Sequence, residues 1–128
     1  MNLEGGCNCG TVRFRLTGRP IRTGLCHCQT CRKESGSAFM AYSVWDRADV
    51  TVTGETRSWT ATTDRRHFCG ACGSTLFATD GSDEIEIRIG SLDQAPTKLT
   101  PDHELWVHRR EQWQAPLAGA DQHGGNRS

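Results

Sequence analysis

Seven cysteines fall into three tight groups along a chain of 128 residues, and no other feature limits its possible folds as strongly. Cys7 and Cys9 make a C-x-C pair at the start. Cys26, Cys28 and Cys31 lie inside the six-residue stretch CHCQTC, and Cys69 and Cys72 make a C-x-x-C pair. An odd number of cysteines cannot all pair within one chain. In a reducing compartment such spacings point to metal binding or catalysis rather than to disulfides. The opening MNLEGGCNCG has neither a basic n-region nor an apolar h-region, so no signal peptide is expected and the cytoplasm is the expected location.

Zinc is the metal these thiols suit. It takes four ligands in a tetrahedron, closed in structural sites and left with one exchangeable position in catalytic ones. A C-x-C and a C-x-x-C together supply four thiolates, so Cys7, Cys9, Cys69 and Cys72 read as one structural site. Gly10, Gly70 and Gly73 permit the tight turns whose N–H groups aim at sulfur. Buried reduced thiols acting as small hydrophobes would explain one isolated cysteine but not four in pairs.

Cys26, Cys28 and Cys31 have no fourth cysteine nearby, so a zinc held there has an open position. An open zinc can take a substrate thiolate, polarise a carbonyl or generate hydroxide. Three thiolates weaken its Lewis acidity, which favours thiol exchange over hydrolysis. His27, Arg32, Lys33 and Glu34 are the polar groups closest in sequence. His103 and His108 are candidates to close the site or simply strand residues, and His67 is a candidate hydrogen-bond donor behind Cys69. The four tryptophans read as core and edge packing.

Fifteen basic and fifteen acidic residues give a formal net charge of zero, which argues against a nucleic-acid or anionic-membrane partner. No run approaches the roughly 18 apolar residues of a membrane span. The length fits a single domain, expected over residues 1–116, with the glycine-rich residues 117–128 as a flexible tail.

Thr11–Thr17 alternates, with Val12, Phe14 and Leu16 on one face and Arg13 and Arg15 on the other, as a half-buried strand does. Ile21–Leu25 runs extended into the three-cysteine stretch, and Gln29–Gly36 reads as a short helix or turn. Ala38–Trp45 is a buried strand. Val50–Glu55 and Thr56–Thr60 read as two strands about a glycine-centred turn, and Ser74–Ala78 as another strand. Glu84–Ile89 (EIEIRI) alternates most cleanly, with Ile85, Ile87 and Ile89 inward. Ser91–Ala95 is a second short helix candidate, and Leu105–Val107 a last strand. About eight short strands with one or two helical turns make an all-β domain.

The segments GGCNCGTVRF, CHCQTCRKESGS, FCGACGSTLF, IRIGSLD and HELWVHRREQW, in that order from residue 5 to about residue 113, resemble the glutathione-dependent formaldehyde-activating family, related to centromere protein V. The resemblance implies a small β-tent of short antiparallel sheets stapled by two zinc ions. Cys7, Cys9, Cys69 and Cys72 match the family's structural zinc ligands, and Cys26, Cys28 and Cys31 those of its catalytic zinc. Gly70 stands where many members carry proline, which affects the turn more than the chemistry. The implied activity is that of a carbon–sulfur lyase joining glutathione and formaldehyde as S-hydroxymethylglutathione. The two carboxylates of glutathione call for cations, and Arg32 and Lys33 directly after Cys31 are the expected donors, with Arg13 and Arg15 behind them. The competing expectation is a non-catalytic zinc scaffold or thiol-based redox module. An exposed cleft beside Cys31 favours the enzyme; a fourth protein ligand such as His27 or His108 favours the scaffold.

Overall fold

A computed structural model describes residues 1–127. The strands are β1 (Leu3–Gly6), β2 (Arg13–Leu16), β3 (Arg22–Cys26), β4 (Met40–Asp46), β5 (Val50–Thr53) and β6 (Arg57–Ala61). They continue with β7 (Asp64–Phe68), β8 (Thr75–Thr79), β9 (Glu84–Arg88), β10 (His103–Leu105) and β11 (Asp121–Gln122). One α-helix, α1 (Gln29–Ser35), follows the CHC tripeptide. The expected all-β architecture with a single short helix is the one observed. Among the described residues no helix is long and apolar enough to cross a membrane.

The strands form a small sheet in the order β1-β2-β5 and a large one in the order β11-β10-β3-β4-β9-β8-β7-β6. Pairing is antiparallel except at β10, which runs parallel to both β3 and β11. The alternation of β2 sends Phe14 and Leu16 against Trp45, Ile85, Ile87, Leu76 and Phe77 of the large sheet, and the sheets close over these side chains with Leu3, Val12 and Leu92. Burying each large apolar side chain contributes roughly 1.5–3 kcal/mol, so this layer dominates the fold's stability.

The large sheet's other face positions the site. Directly opposed residues share a face of the pleat, and the register Arg66↔Ala78↔Glu86↔Val44 runs across it beside Arg88↔Tyr42↔Gly24↔His103. Cys26, paired with Met40 and Leu105, lies two residues along β3 from Gly24 on the same face. The polar phase of EIEIRI therefore does not meet open solvent: Arg88 is buried on the working face.

Two local expectations are corrected first. β5 and β6 do not form a hairpin; β5 joins β2 in the small sheet and β6 joins β7 in the large one. Gly54 between them adopts φ +92°, and a Cβ there would lie 2.2 Å from the Thr11 carbonyl oxygen. Ser91–Ala95 is not a helix. A 3-10 turn covers Ile89–Ser91, then Leu92 turns extended into the core and the Asp93 N–H donates to the Glu4 carbonyl.

The last strand ends at Leu105, because Trp106 takes a left-handed conformation and a 3-10 turn follows over Val107–Arg109. Residues 117–127, expected as a flexible tail, run back along β10. Leu117 N–H and Gln122 Nε2 each donate to Glu104 Oε2 at 2.8 Å, the His123 N–H donates to the Glu104 carbonyl, and Trp106 Nε1 donates to Asn126 Oδ1.

Candidate metal centres and cavity

Two cysteine groups could each hold a metal ion, with the sulfurs of each group lying within 4.8 Å of one another. In the first, Cys7 and Cys9 sit 3.6 Å apart and Cys9 and Cys69 3.7 Å apart. At a zinc–sulfur distance of about 2.3 Å, adjacent corners of a tetrahedron are separated by about 3.8 Å, so these two separations match the edges of a zinc tetrahedron. The turns support them as the glycines suggested. Gly10 (φ +82°) and Gly73 (φ +79°) close the two knuckles, and their N–H groups bond the carbonyls of Cys7 and Cys69.

Sulfur receives donors there too. The Val12 N–H donates to Cys7 Sγ at 3.2 Å and draws the pKa of that thiol below its ordinary value. Ser74 Oγ, 3.2 Å from Cys72 Sγ, is the chief cause that draws Cys72 down to about 5. The Ala71 and Cys72 N–H groups both point at Cys69 Sγ. His67 does not join them: it is held by Thr56 and Thr79 and stacks on Phe77.

The second group is built at the junction of β3 and α1. Cys26 ends the strand, Cys28 caps the helix by accepting the Cys31 N–H at 3.3 Å, and Cys31 points back from the first turn. Gly36 (φ +69°) stops the helix, and Arg32 and Lys33 in its last turn suit the C-terminal end of its dipole. The Cys28 thiol is drawn down to about 2 by hydrogen bonds from Cys26 and Cys31, while the sulfurs of Cys28 and Cys31 together with burial drive Cys26 sharply up. Bare thiols thus divide their charge unequally, and three full thiolates at this spacing need a cation among them.

His27 faces away from the sulfurs. Its Nε2 donates to Glu104 Oε1 at 2.8 Å, and both side chains are wholly buried. A carboxylate can only accept, so Nε2 carries the hydrogen; Nδ1 finds no protein partner among the described residues. No histidine belongs to the three-cysteine group among the described residues. His108 is exposed beside Trp106, and His103 is buried against Tyr42 and Asp102.

The three sulfurs open on a cavity of about 490 Å³. Gln29 and Thr30 line it from α1, but Arg32 and Lys33 do not. The helix turns Arg32 aside, where it binds Glu111 at 3.0 Å and the carbonyls of Ala38 and Arg109. Arg13 and Arg15 lie on the small sheet, paired with Asp93 and Glu4. The cations that reach the cavity are Arg22, Arg66 and Arg109, from β3, β7 and the turn after β10.

Arg66 donates to Cys31 Sγ at 3.4 Å and to Glu34 at 3.3 Å, and Glu34 in turn accepts from the buried Arg88 at 3.0 Å. Glu34 is thus a bridge between two arginines. Arg109 is exposed, has no carboxylate partner among the described residues, and lies over the Trp106 ring at 5.4 Å. Thr62 and Trp106, the non-glycine residues with positive φ, both border this cavity, and strained backbone tends to collect at working sites.

Fold and sulfur geometry together define a two-sheet β-protein carrying one four-cysteine and one open three-cysteine cluster. A family model described as glutathione-dependent formaldehyde-activating enzyme matches residues 2–109, and the chain belongs to that family. A Halomonas elongata protein, named provisionally as a glutathione-dependent formaldehyde-activating enzyme, is 37% identical over 90 residues, which is 62% of this chain and 57% of that protein. A Schizosaccharomyces pombe protein named an uncharacterized lyase is 31% identical over 75 residues, 58% of this chain and 55% of that protein. The matched part is thus little more than half the length of these curated relatives. The crystal structure of a Rhodobacter sphaeroides protein superposes with a TM-score of 0.59 at 19% identity, over 74% of this chain and 92% of that one, and shares the fold.

Proposed function

We propose that the chain is a zinc-dependent carbon–sulfur lyase of the glutathione-dependent formaldehyde-activating type, working on a thiol adduct of a small aldehyde. The observation that carries this reading is a three-sulfur cluster with no fourth protein ligand among the described residues, opening on a cavity walled by arginines. Cys7, Cys9, Cys69 and Cys72 would hold one zinc as a staple, and Cys26, Cys28 and Cys31 a second. A zinc on three thiolates supplies an exchangeable position at which a thiol binds as its thiolate. Around it, Arg66 holds Cys31 in place and adds positive charge beside the sulfurs, and Arg109 stands free to receive a carboxylate of glutathione. His27, committed to Glu104, is not available to close the three-cysteine group. The compartment proposed is the cytoplasm.

A chelator is expected to remove the metal of the three-cysteine group first, because it has one protein ligand fewer, with the far-ultraviolet circular dichroism unchanged until the second equivalent leaves. Loss of both metals in a single step with unfolding would contradict the assignment of one structural and one working site.

The function is tested by calorimetric titration of the zinc-loaded chain with glutathione, alongside formation of S-hydroxymethylglutathione against the spontaneous rate. Cys31→Ala is expected to abolish turnover and leave the melting curve close to wild type. Arg109→Ala should raise the glutathione Kd about tenfold, the loss of one charge-assisted contact worth about 1.4 kcal/mol, whereas Lys33→Ala should leave it unchanged. Absence of any thiol binding by the zinc-loaded protein would overturn the lyase reading.

A further inference from the structure

We propose that the Tyr42 hydroxyl is the proton-transferring group of this site, giving a proton to and taking it from the oxygen of the aldehyde-derived carbon, with His103 and Asp102 as the residues that position it. The inference rests on the lyase reading above. A thiolate that adds to a carbonyl turns the carbonyl oxygen into an alkoxide, and the reverse reaction must strip the same oxygen of its proton. Some group on the cavity wall therefore has to exchange a proton with that oxygen.

The wall offers few choices. Its carboxylates Glu84, Glu86 and Asp64 are held by Arg22, Arg88 and Arg66, Asp80 is held by Ser82, and guanidinium groups do not release protons. Of the lining hydroxyls, Thr79 lies 3.4 Å from His67 Nε2, a long contact, whereas Tyr42 has a base in close contact directly behind it. Its oxygen lies 2.5 Å from His103 Nε2, and His103 Nδ1 lies 2.5 Å from Asp102 Oδ1.

Because a carboxylate only accepts, Nδ1 carries the imidazole hydrogen, and the neutral ring leaves Nε2 to accept from the phenol. The phenolic oxygen keeps a lone pair for a substrate hydroxyl. This is the arrangement of an active hydroxyl, a base and an orienting carboxylate that nucleophilic and acid–base sites share.

The fold makes deliberate room for the chain of groups. Gly24 lies between Tyr42 and His103 in the sheet, and a Cβ on it would come within 2.4 Å of His103 Nε2 and 2.7 Å of the Tyr42 hydroxyl. Asp102 is fixed by the Thr23 N–H at 3.3 Å, and its own N–H donates to the Thr23 carbonyl. Tyr42 and His103 are buried, while the Asp102 side chain is 59% exposed, so the series leads from the cavity wall to solvent.

The step balances without any further reagent. In the forward direction the proton lost by the thiol enters through Tyr42 while the phenol's own proton moves to His103 Nε2. The sulfur lone pair then forms the S–C bond, the carbonyl π pair moves to oxygen, and Tyr42 gives its proton to that oxygen while recovering one from His103. Breakdown of the adduct runs the same path backwards, with the C–S pair returning to sulfur.

The test uses the zinc-loaded full chain with glutathione and carbon-13 formaldehyde, following adduct formation and breakdown by exchange NMR and glutathione affinity by calorimetry. Tyr42→Phe is expected to lower the protein-dependent kcat on the order of 100-fold with glutathione affinity within about twofold of wild type. Asp102→Asn, at an exposed position, is expected to lower kcat on the order of tenfold at unchanged KM, and to remove the Nδ1–H preference in the nitrogen-15 spectrum of His103. A Tyr42→Phe protein retaining half or more of the wild-type kcat overturns the inference. Should Tyr42→Phe misfold, an Asp102→Asn protein with unchanged kcat and an unchanged His103 spectrum overturns it instead. If wild type accelerates the exchange and neither variant slows it, this inference alone fails; if wild type gives no acceleration, the lyase reading falls and takes the inference with it.

Discussion

Replacing Cys69 with serine is expected to unfold the domain. Cys69 is buried, its sulfur sits 3.7 Å from that of Cys9, and the N–H groups of Ala71 and Cys72 converge on it. The cluster ties the first knuckle to the second across the core, next to Leu76 and Phe77. The binding free energy of a structural zinc is folding free energy, about 10 kcal/mol or more, against a total stability of roughly 5–15 kcal/mol for a domain. Loss of one ligand removes much of that, an amount comparable with the whole net stability. Thermal melting of the purified variant decides the matter: a Cys69→Ser protein that melts as wild type does would defeat the assignment of this cluster as the staple.

The second large effect is expected at Glu104, a carboxylate with no exposed surface. It gathers His27, Arg110, the Leu117 N–H and Gln122 Nε2 around its two oxygens. Glu104→Ala removes an acceptor from all four and leaves the buried His27 Nε2 and the Leu117 N–H without one, and breaking a buried charged pair by removing one partner costs about 3–5 kcal/mol. Denaturant unfolding should show this loss. It should be accompanied by faster hydrogen exchange in residues 117–126, because their main anchor to β10 is gone; unchanged exchange there would refute the anchoring role.

Burial alone would raise the Glu104 carboxyl, but the donors from Leu117, Gln122, His27 and Arg110 outweigh it and hold it at about 2. Its folded value lies below its unfolded one. Its stabilisation is therefore complete above the unfolded carboxyl range, near pH 4–5, and fades as the pH falls toward 2. The difference between wild type and Glu104→Gln isolates this contribution, since both proteins also lose thiolates in acid. A gap between the two that stays constant from pH 6 to pH 3 would contradict it.

The sulfur clusters and the strands that alternate were legible in the sequence because their signals are local. Cys26, Cys28 and Cys31 carry their geometry in their spacing, and Val12, Phe14 and Leu16 mark the core face of β2 within a few residues. The cavity wall was not legible for the opposite reason. Arg66 reaches Cys31 across 35 residues of chain only because β7, β8, β9 and β4 lie side by side in that order. Arg32 is adjacent in sequence, yet the rotation of α1 carries it round to Glu111.

Tyr42 was hidden inside AFMAYSVW, a run whose apolar character announces a buried strand and conceals which of its faces lines a site. The parallel pairing of β10 with β3 rests on three residues and a register set by tertiary contacts, and the two-residue β11 carries no periodic signal at all. The alternation of EIEIRI located its isoleucines correctly. It could not reveal that Glu86 on the other phase faces a cavity while Arg88 is buried against Glu34, since that depends on what covers the sheet.

The union of Cys9 with Cys69 across 60 residues also sets a timetable for synthesis. At about 5–20 residues per second, a ribosome needs roughly 3–12 s to follow the first knuckle with the second. For that interval Cys7 and Cys9 emerge as bare thiols beside a hydrophobic β2 that has no opposite sheet to cover it. The CHCQTC stretch appears within the same window, complete in itself and able to capture an ion before the staple can. Under the proposed metal assignment, a nascent chain in metal-poor or oxidising surroundings would be most vulnerable before residue 72 is added, with the early cluster competing with the late one for the ion.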